Sequence, residues 1–431
     1  MVRIAAASFA GTSIEFYDFF VYGTAAALVL GPLFFPGFSP VAGTLAAFAT
    51  YAVGFVSRPL GSIVFGRLGD RRGRRPVLVI SLVMTGVATV LVGLLPTYDR
   101  IGIAAPLLLG LLRFVQGFGV GGEWGGAVLL AAEHAPPGRR ALWASFPQAG
   151  PSVGFLVANA LMLLLSGTLT DAQFMAWGWR VPFLFAGVLV AGGLMLRASI
   201  EETPHFRELA DSGGLSRTPF ADVMREQWRL ILVIAGALTC GYVAFYLTTT
   251  WTLTYATSRL DVGRTTVLAC VMIAVVCKGV GTPLFALLGD RVGRRPLCVG
   301  GCVAIGLWAF PMIGLLQTGR PVWITLACSV TLVAFIAMFS VVGAYLSELF
   351  EPRVRCTGAS VAYNLGGVLG GALTPIVATE LARGEGTPWS VAAYLTAAAV
   401  LSVSCFAALP ETRVVVVPES AQDVEGAAVT A

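Results

Sequence analysis

Twelve stretches of roughly 20 or more mostly apolar residues run along this 431-residue chain, and a segment of that kind is stable as a helix across a bilayer. They lie at about 4–31, 42–65, 77–95, 103–133, 141–166 and 181–199, then at 230–257, 265–288, 297–317, 322–350, 357–382 and 390–409. The expected fold class is therefore all-α, with twelve transmembrane helices. Composition agrees: 57% of residues are apolar and 12% charged, against roughly 25% charged in soluble proteins. A soluble enzyme, a secreted scaffold and a disordered chain are excluded. Glu15 and Asp18 interrupt the first stretch, and no small-residue cleavage site precedes them, so it reads as a retained helix and not as a signal peptide. The longest polar segment, 200–229, divides an N-terminal bundle (1–199) from a C-terminal bundle (230–409), with a tail at 410–431.

Basic residues set the expected orientation, because short loops rich in Lys and Arg stay cytoplasmic. Of the 28, 19 fall on the side that holds both termini and the central linker, six on the other side, and three (Arg58, Arg113 and Lys278) within spans. Both termini are predicted cytoplasmic. The net charge of +5 is spread over these loops without the aromatic interleaving of a nucleic-acid groove. The eight cysteines read as small buried hydrophobes, with no disulfide or metal framework. No nucleophile–base pairing or phosphate-binding lysine motif is visible, so neither an enzyme, a cofactor nor an ATP-driven pump is expected. The bilayer, a small-molecule substrate and protons are the expected partners. The sequence leaves the oligomeric state open, a monomer being sufficient.

Two loops repeat. Gly66-Arg-Leu-Gly-Asp70-Arg71-Arg-Gly73-Arg74-Arg75-Pro76 recurs as Ala286-Leu-Leu-Gly-Asp290-Arg291-Val-Gly293-Arg294-Arg295-Pro296, at an offset of 220. Glu133, Pro137 and Arg140 recur as Glu348, Pro352 and Arg355, at an offset of 215. Two matching halves place a substrate site at their shared midplane interface. Gly66, Asp70, Arg71, Gly73, Arg74, Asp290, Arg291 and Arg294 are expected to form a gate at the cytoplasmic rim, with Asp70 and Arg74 pairing one turn apart.

A charge at the bilayer centre costs about 2.5–3.5 kcal/mol on insertion scales and needs a partner or a water-filled cavity. Span 1 carries Glu15, Asp18 and Tyr22 on one stripe, and span 4 carries Arg113, Gln116 and Glu123 on one face. Asp18 and Arg113 are expected at similar depth, as a pair that loads and releases a proton. Arg58 reads as a residue that reaches the cytoplasmic surface. Lys278 is the single lysine, well inside span 8, where it either attracts an anionic substrate or pairs with a neighbouring helix. Tyr363 and Asn364 of span 11, with the aromatic residues of span 7, are candidate pocket residues. The runs Gly117-x-Gly-x-Gly121-Gly122 and Gly366-Gly-x-x-Gly370-Gly371 follow no strand and read as helix-packing seams.

The Gly66–Arg75 loop and Arg113-x-x-Gln116-Gly117 resemble the major facilitator superfamily. Further stretches are similar to its metabolite:proton symporter family: Glu15-Phe-Tyr-Asp18-Phe-Phe-Val-Tyr22-Gly23, Arg58-Pro-Leu-Gly61, Gln116-Gly-x-x-x-Gly121-Gly-Glu123, Trp177-Gly-Trp-Arg180-x-Pro182-Phe and Glu201-Glu-Thr-Pro204. Thr24-Ala-Ala-Ala-Leu28 and Gly122-Glu-Trp-Gly-Gly126 resemble the bacterial shikimate transporter branch most. The resemblance implies two pseudo-symmetric six-helix bundles in a bacterial inner membrane. It also implies proton-coupled uptake of a small polar metabolite, a shikimate-like carboxylate or a dicarboxylate. The alternatives are an exporter, suggested by Gly150-Pro151-x-x-Gly154, and a non-transporting receptor on a transporter scaffold. The short tail lacks the heptads of the osmosensing betaine carriers.

Overall fold

The computed structural model of the chain describes residues 2–198, 219–383 and 388–413. Twelve spans are found among them. The first half holds α1 (2–34), α2 (Pro40–Arg72), α3 (Arg74–Leu94), α4 (Ala104–Glu133), α5 (Arg140–Thr168) and α6 (171–198). The second holds α7 (Trp228–Arg259), α8 (Arg264–Val292), α9 (Arg294–Leu316), α10 (Pro321–Leu349), α11 (Arg355–Leu381) and α12 (Trp389–Ala408). Several helices outrun their apolar stretches, because a helix that has left the bilayer keeps its backbone bonds until a turn stops it. Gly73 and Gly293 are those stops: φ of 97° and 118° suits glycine and ends α2 and α8 at matching places in the two loops. Most of the 200–229 linker, with Glu201 and Glu202, and the tail beyond 413 lie outside the described residues; the short helix Pro219–Glu226 is described.

Two six-helix bundles result. In one, α1 packs on α5, α2 and α3 on α4, and α3 on α6; in the other, α8 and α9 pack on α10, α9 and α7 on α12, and α7 on α11. Two seams, α2 on α11 and α5 on α8, join the bundles. The outward faces are apolar, as lipid requires, with Leu307 75% and Val322 74% exposed. Six cysteines are buried and Cys405 is half-buried, but Cys277 lies on this exposed face, correcting the expectation for that residue.

The glycine runs are packing seams. A Cβ on Gly117 would lie 2.0 Å from the Gly54 carbonyl oxygen, and one on Gly121 2.2 Å from that of Arg58, so α2 and α4 touch backbone to backbone. Gly370 gives the same close approach to Thr239 and Tyr242 of α7, and Gly150 and Gly154 do so between α5 and α1. The last seam gives the antiporter-like motif a packing role.

Beyond α12, Glu411 docks on the second repeated loop. Its carboxylate accepts hydrogen bonds from the backbone N–H groups of Arg294 (3.0 Å), Arg295 (2.9 Å), Thr412 (2.9 Å) and Arg413 (2.8 Å). Burial opposes its ionisation, yet these donors outweigh burial and hold its pKa below the ordinary value.

Candidate transport pathway

At the end that carries the repeated loops, the two seams are closed by a carboxylate on the first residues of a helix in the opposite bundle. Asp70, at the end of α2, accepts from the N–H groups of Cys356 (3.1 Å) and Thr357 (2.9 Å) and from the Thr357 hydroxyl (2.7 Å). Asp290, at the end of α8, accepts from the N–H groups of Ala141 and Leu142, both at 3.0 Å. In both cases the donors are the second and third residues of a helix, where unpaired N–H groups and the positive dipole end attract an anion. Glu133 adds an ion pair to Arg355 at 3.8 Å.

The loops thus do more than pair along one helix. Asp290 makes in the second loop the one-turn pairing expected of Asp70 and Arg74 in the first, at 3.3 Å from Arg294, which also reaches Glu348 at 3.2 Å. The side chain of Arg74 lies outside the described residues. Arg71 and Arg291 are exposed and take no part in either cross-bundle latch. Gly66 does: a Cβ there would lie 2.7 Å from Thr357 Cα, so its lack of a side chain lets α2 close on α11.

Deeper in, a dry slot with no room for a water molecule is lined by Glu15, Asp18, Arg58, Arg113 and Gln116. Asp18 and Glu15 are each 1% exposed. Asp18 and Arg113 line one slot as expected, but no hydrogen bond joins them. Among the described residues the Thr89 hydroxyl stands beside Asp18, although neither Asp18 oxygen meets a donor in full bonding geometry. Arg113 instead donates to Gln116, and its guanidinium sits over the rings of Tyr22 (4.2 Å), Tyr51 (4.8 Å) and Phe19 (5.2 Å). Gln116 passes the chain on to Thr89, and Tyr22 bonds Thr50 at 2.5 Å, so Tyr22 supports Arg113 from outside the slot. Glu123 is fully buried but lines neither this slot nor the cavity beside it.

That cavity lies between the bundles, about 40 Å³ in volume, enough for little more than water. Phe16, Tyr242, Phe245, Tyr246, Phe335 and Phe339 supply much of its wall. Lys278, 3% exposed, enters from α8; its ammonium donates to Ser152 Oγ at 3.1 Å and to the Gln148 carbonyl at 3.5 Å, both in the opposite bundle. Tyr363 also faces it, stacked on Trp124 at 3.6 Å, and Trp124 donates to Gln148. Asn364 does not face it: its amide bonds the Gly121 carbonyl at 3.1 Å and ties α11 to α4.

Arg58 departs most from expectation. It does not reach the surface but is 4% exposed, with its guanidinium over Phe19 (4.6 Å) and Phe55 (4.4 Å), and it lines both slot and cavity. Tyr51, Gly54, Phe55 and Arg58 recur at helical spacing, and that shared face of α2 is the sequence signal for an inward Arg58. Gly54 makes room for Arg113, since a Cβ there would lie 3.1 Å from Nε. At the end opposite the latches, a vestibule of about 320 Å³ opens between the bundles, lined among others by Thr24, Asn159, Asp171 and Arg264.

The sequence pattern of the Major Facilitator Superfamily matches residues 8–375. The chain belongs to that superfamily. It is 44% identical over 416 residues to the inner membrane metabolite transport protein YhjE of Escherichia coli (strain K12), covering 95% of this chain and 94% of the relative. It is 39% identical over 404 residues to the shikimate transporter of the same organism, covering 93% and 92%. The fold matches that of the proton:xylose symporter XylE with a TM-score of 0.78 at 17% identity, over 96% of each chain. This major facilitator protein is thus a multi-pass membrane transporter of metabolites, not an enzyme.

Proposed function

We propose that the chain imports a small carboxylate-bearing metabolite, of shikimate or dicarboxylate type, together with protons across a bacterial inner membrane. Both termini are cytoplasmic in this reading, and residues 1–199 and 230–409 are the bodies that rock. The observation that carries it is the central cavity: Lys278 from one bundle and Arg58 from the other face it, with no carboxylate among its lining residues. A buried arginine and a buried lysine at one site, with no carboxylate beside them, call for an anionic ligand. The names of the shikimate and inner-membrane metabolite relatives support that class.

Asp18, with Glu15 beside it, is the proposed proton site, because both are buried carboxyl groups on the slot that adjoins the cavity. Closed latches at one end and a vestibule at the other correspond to a state facing away from the cytoplasm. Protonation and substrate binding would precede release of the latches and opening to the other side.

Uptake of shikimate, succinate and 2-oxoglutarate into vesicles of known orientation tests this reading, with glycine betaine as the zwitterionic control. A carboxylate should accumulate with an imposed inward proton gradient and stop doing so with an uncoupler. Accumulation that survives collapse of the gradient, or needs it reversed, would refute proton-coupled import. Lys278→Gln removes a charged donor worth about 1.5–3 kcal/mol, so KM for the carboxylate should rise about tenfold to a hundredfold. An unchanged KM would remove Lys278 from the substrate site.

A further inference from the structure

We infer that Arg58 is the coupling link, the residue through which a substrate carboxylate in the cavity makes the acidic cluster of α1 take up a proton. This rests on the reading above, in which the substrate is an anion and the proton resides at Asp18 and Glu15. Arg58 is the one described residue that lines both compartments. Arg113 faces the slot but not the cavity and is held by Gln116, Tyr22 and Tyr51. Lys278 faces the cavity but not the slot. A signal that passes by electrostatics from one compartment to the other has Arg58 on its shortest path.

The way Arg58 is held suits such a role. Its guanidinium lies against two ring faces, and its Nε has no hydrogen-bond partner among the described residues. Ring faces hold a cation with little directional demand, so the head group can shift toward either compartment at the cost of little more than its contact with the Tyr246 hydroxyl, which itself lines the cavity. Around it stand Glu15 and Asp18 of α1, Tyr51 of α2, Arg113 of α4, Tyr242 and Tyr246 of α7, Lys278 of α8 and Tyr363 of α11. With the cavity empty, the positive charges of Arg58 and Arg113 both act on the slot that Glu15 and Asp18 line. An arriving carboxylate draws Arg58 toward the cavity, and the slot loses part of its positive potential. A carboxylate there then binds a proton from solvent, forming one O–H bond. The substrate's negative charge and the proton's positive charge cancel across the step.

The test uses the full-length protein in nanodiscs with shikimate as the probe. Calorimetry in buffers of different ionisation enthalpy reads proton uptake, and Kd is measured against pH. The native protein should take up about one proton per shikimate, with Kd tightening about tenfold per pH unit lowered across the linked range. Arg58→Gln should bind more weakly, take up no proton and show a flat pH profile. Arg58→Lys keeps the charge and should restore both proton uptake and the pH slope, and it serves alone if the Gln variant does not fold. Proton uptake with a full pH slope in Arg58→Gln, or binding without proton uptake in Arg58→Lys, overturns the assignment. If the native protein binds shikimate without taking up a proton, or does not bind it, the functional reading itself fails. In that case the cause is not Arg58.

Discussion

Asp18→Asn is expected to retain exchange of substrate across the membrane and to lose uphill accumulation. Under an inward gradient of one pH unit, a carrier that moves one proton per substrate concentrates its substrate up to about tenfold, since 1.4 kcal/mol corresponds to that ratio. The variant should bring this ratio to one, because an amide is near in size to the carboxyl group it replaces and cannot take up the proton. Counterflow, which needs no net proton movement, should persist. Proton-driven uptake and counterflow measured side by side in the same vesicles decide the matter. Intact accumulation in Asp18→Asn would move the proton site, with Glu15 and Glu123 next to be examined.

Arg113→Ala should be harsher. Its guanidinium fills the space that Gly54 leaves open and rests on Tyr22 and Tyr51. Removing it empties a closely packed buried site between helices, and truncating a large buried side chain to Ala costs about 2–5 kcal/mol. Thermal unfolding in detergent should show a large drop for Arg113→Ala and little change for Asp18→Asn. Equal stability of the two variants would contradict a structural share for Arg113.

The second large effect is expected at the latches. Asp70→Asn removes the negative charge from the start of α11 and leaves a weaker acceptor for the N–H groups of Cys356 and Thr357. A charged hydrogen bond to such donors contributes about 1.5–3 kcal/mol, so the closed state should lose about tenfold to a hundredfold in population relative to the open one. Cys356 is a built-in reporter, being buried beneath this latch. A polar maleimide should label it faster in Asp70→Asn than in the native protein by a comparable factor. Turnover should fall far more than substrate affinity, because Asp70 is not among the residues lining the cavity. Normal turnover with greatly weakened binding would overturn this placement.

Local chemistry explains why some features were legible in the sequence. A run of apolar residues has to become a spanning helix wherever it packs, so the twelve spans and their grouping by a repeated loop could be read from the chain. The glycine runs were legible for a similar reason, since small residues in a membrane helix permit close approach whichever helix approaches. Glu15, Asp18, Arg113 and Gln116 announced themselves by the cost of a polar group in lipid.

Pairing is a different matter. Asp70 and Arg74 lie one turn apart, and helical spacing favours a bond between them; the bonds of Asp70 to α11 join residues 286 positions apart, which no local rule reports. Asp18 and Arg113 are expected partners by type and depth, yet Arg113 bonds Gln116 and lies against aromatic faces supplied by other helices. Arg58 lay close enough to the rim to be read as reaching water. It was turned inward by Phe19 of α1, a ring on another helix, and by Phe55 of its own. What the sequence determined alone is the membrane as solvent, the number of crossings and the duplicated architecture, because each follows from transfer energies and periodicity along the chain. Only the tertiary structure decided which charges meet, which end is closed and which residue spans slot and cavity, because those depend on the side chains that neighbouring helices place within a few ångströms.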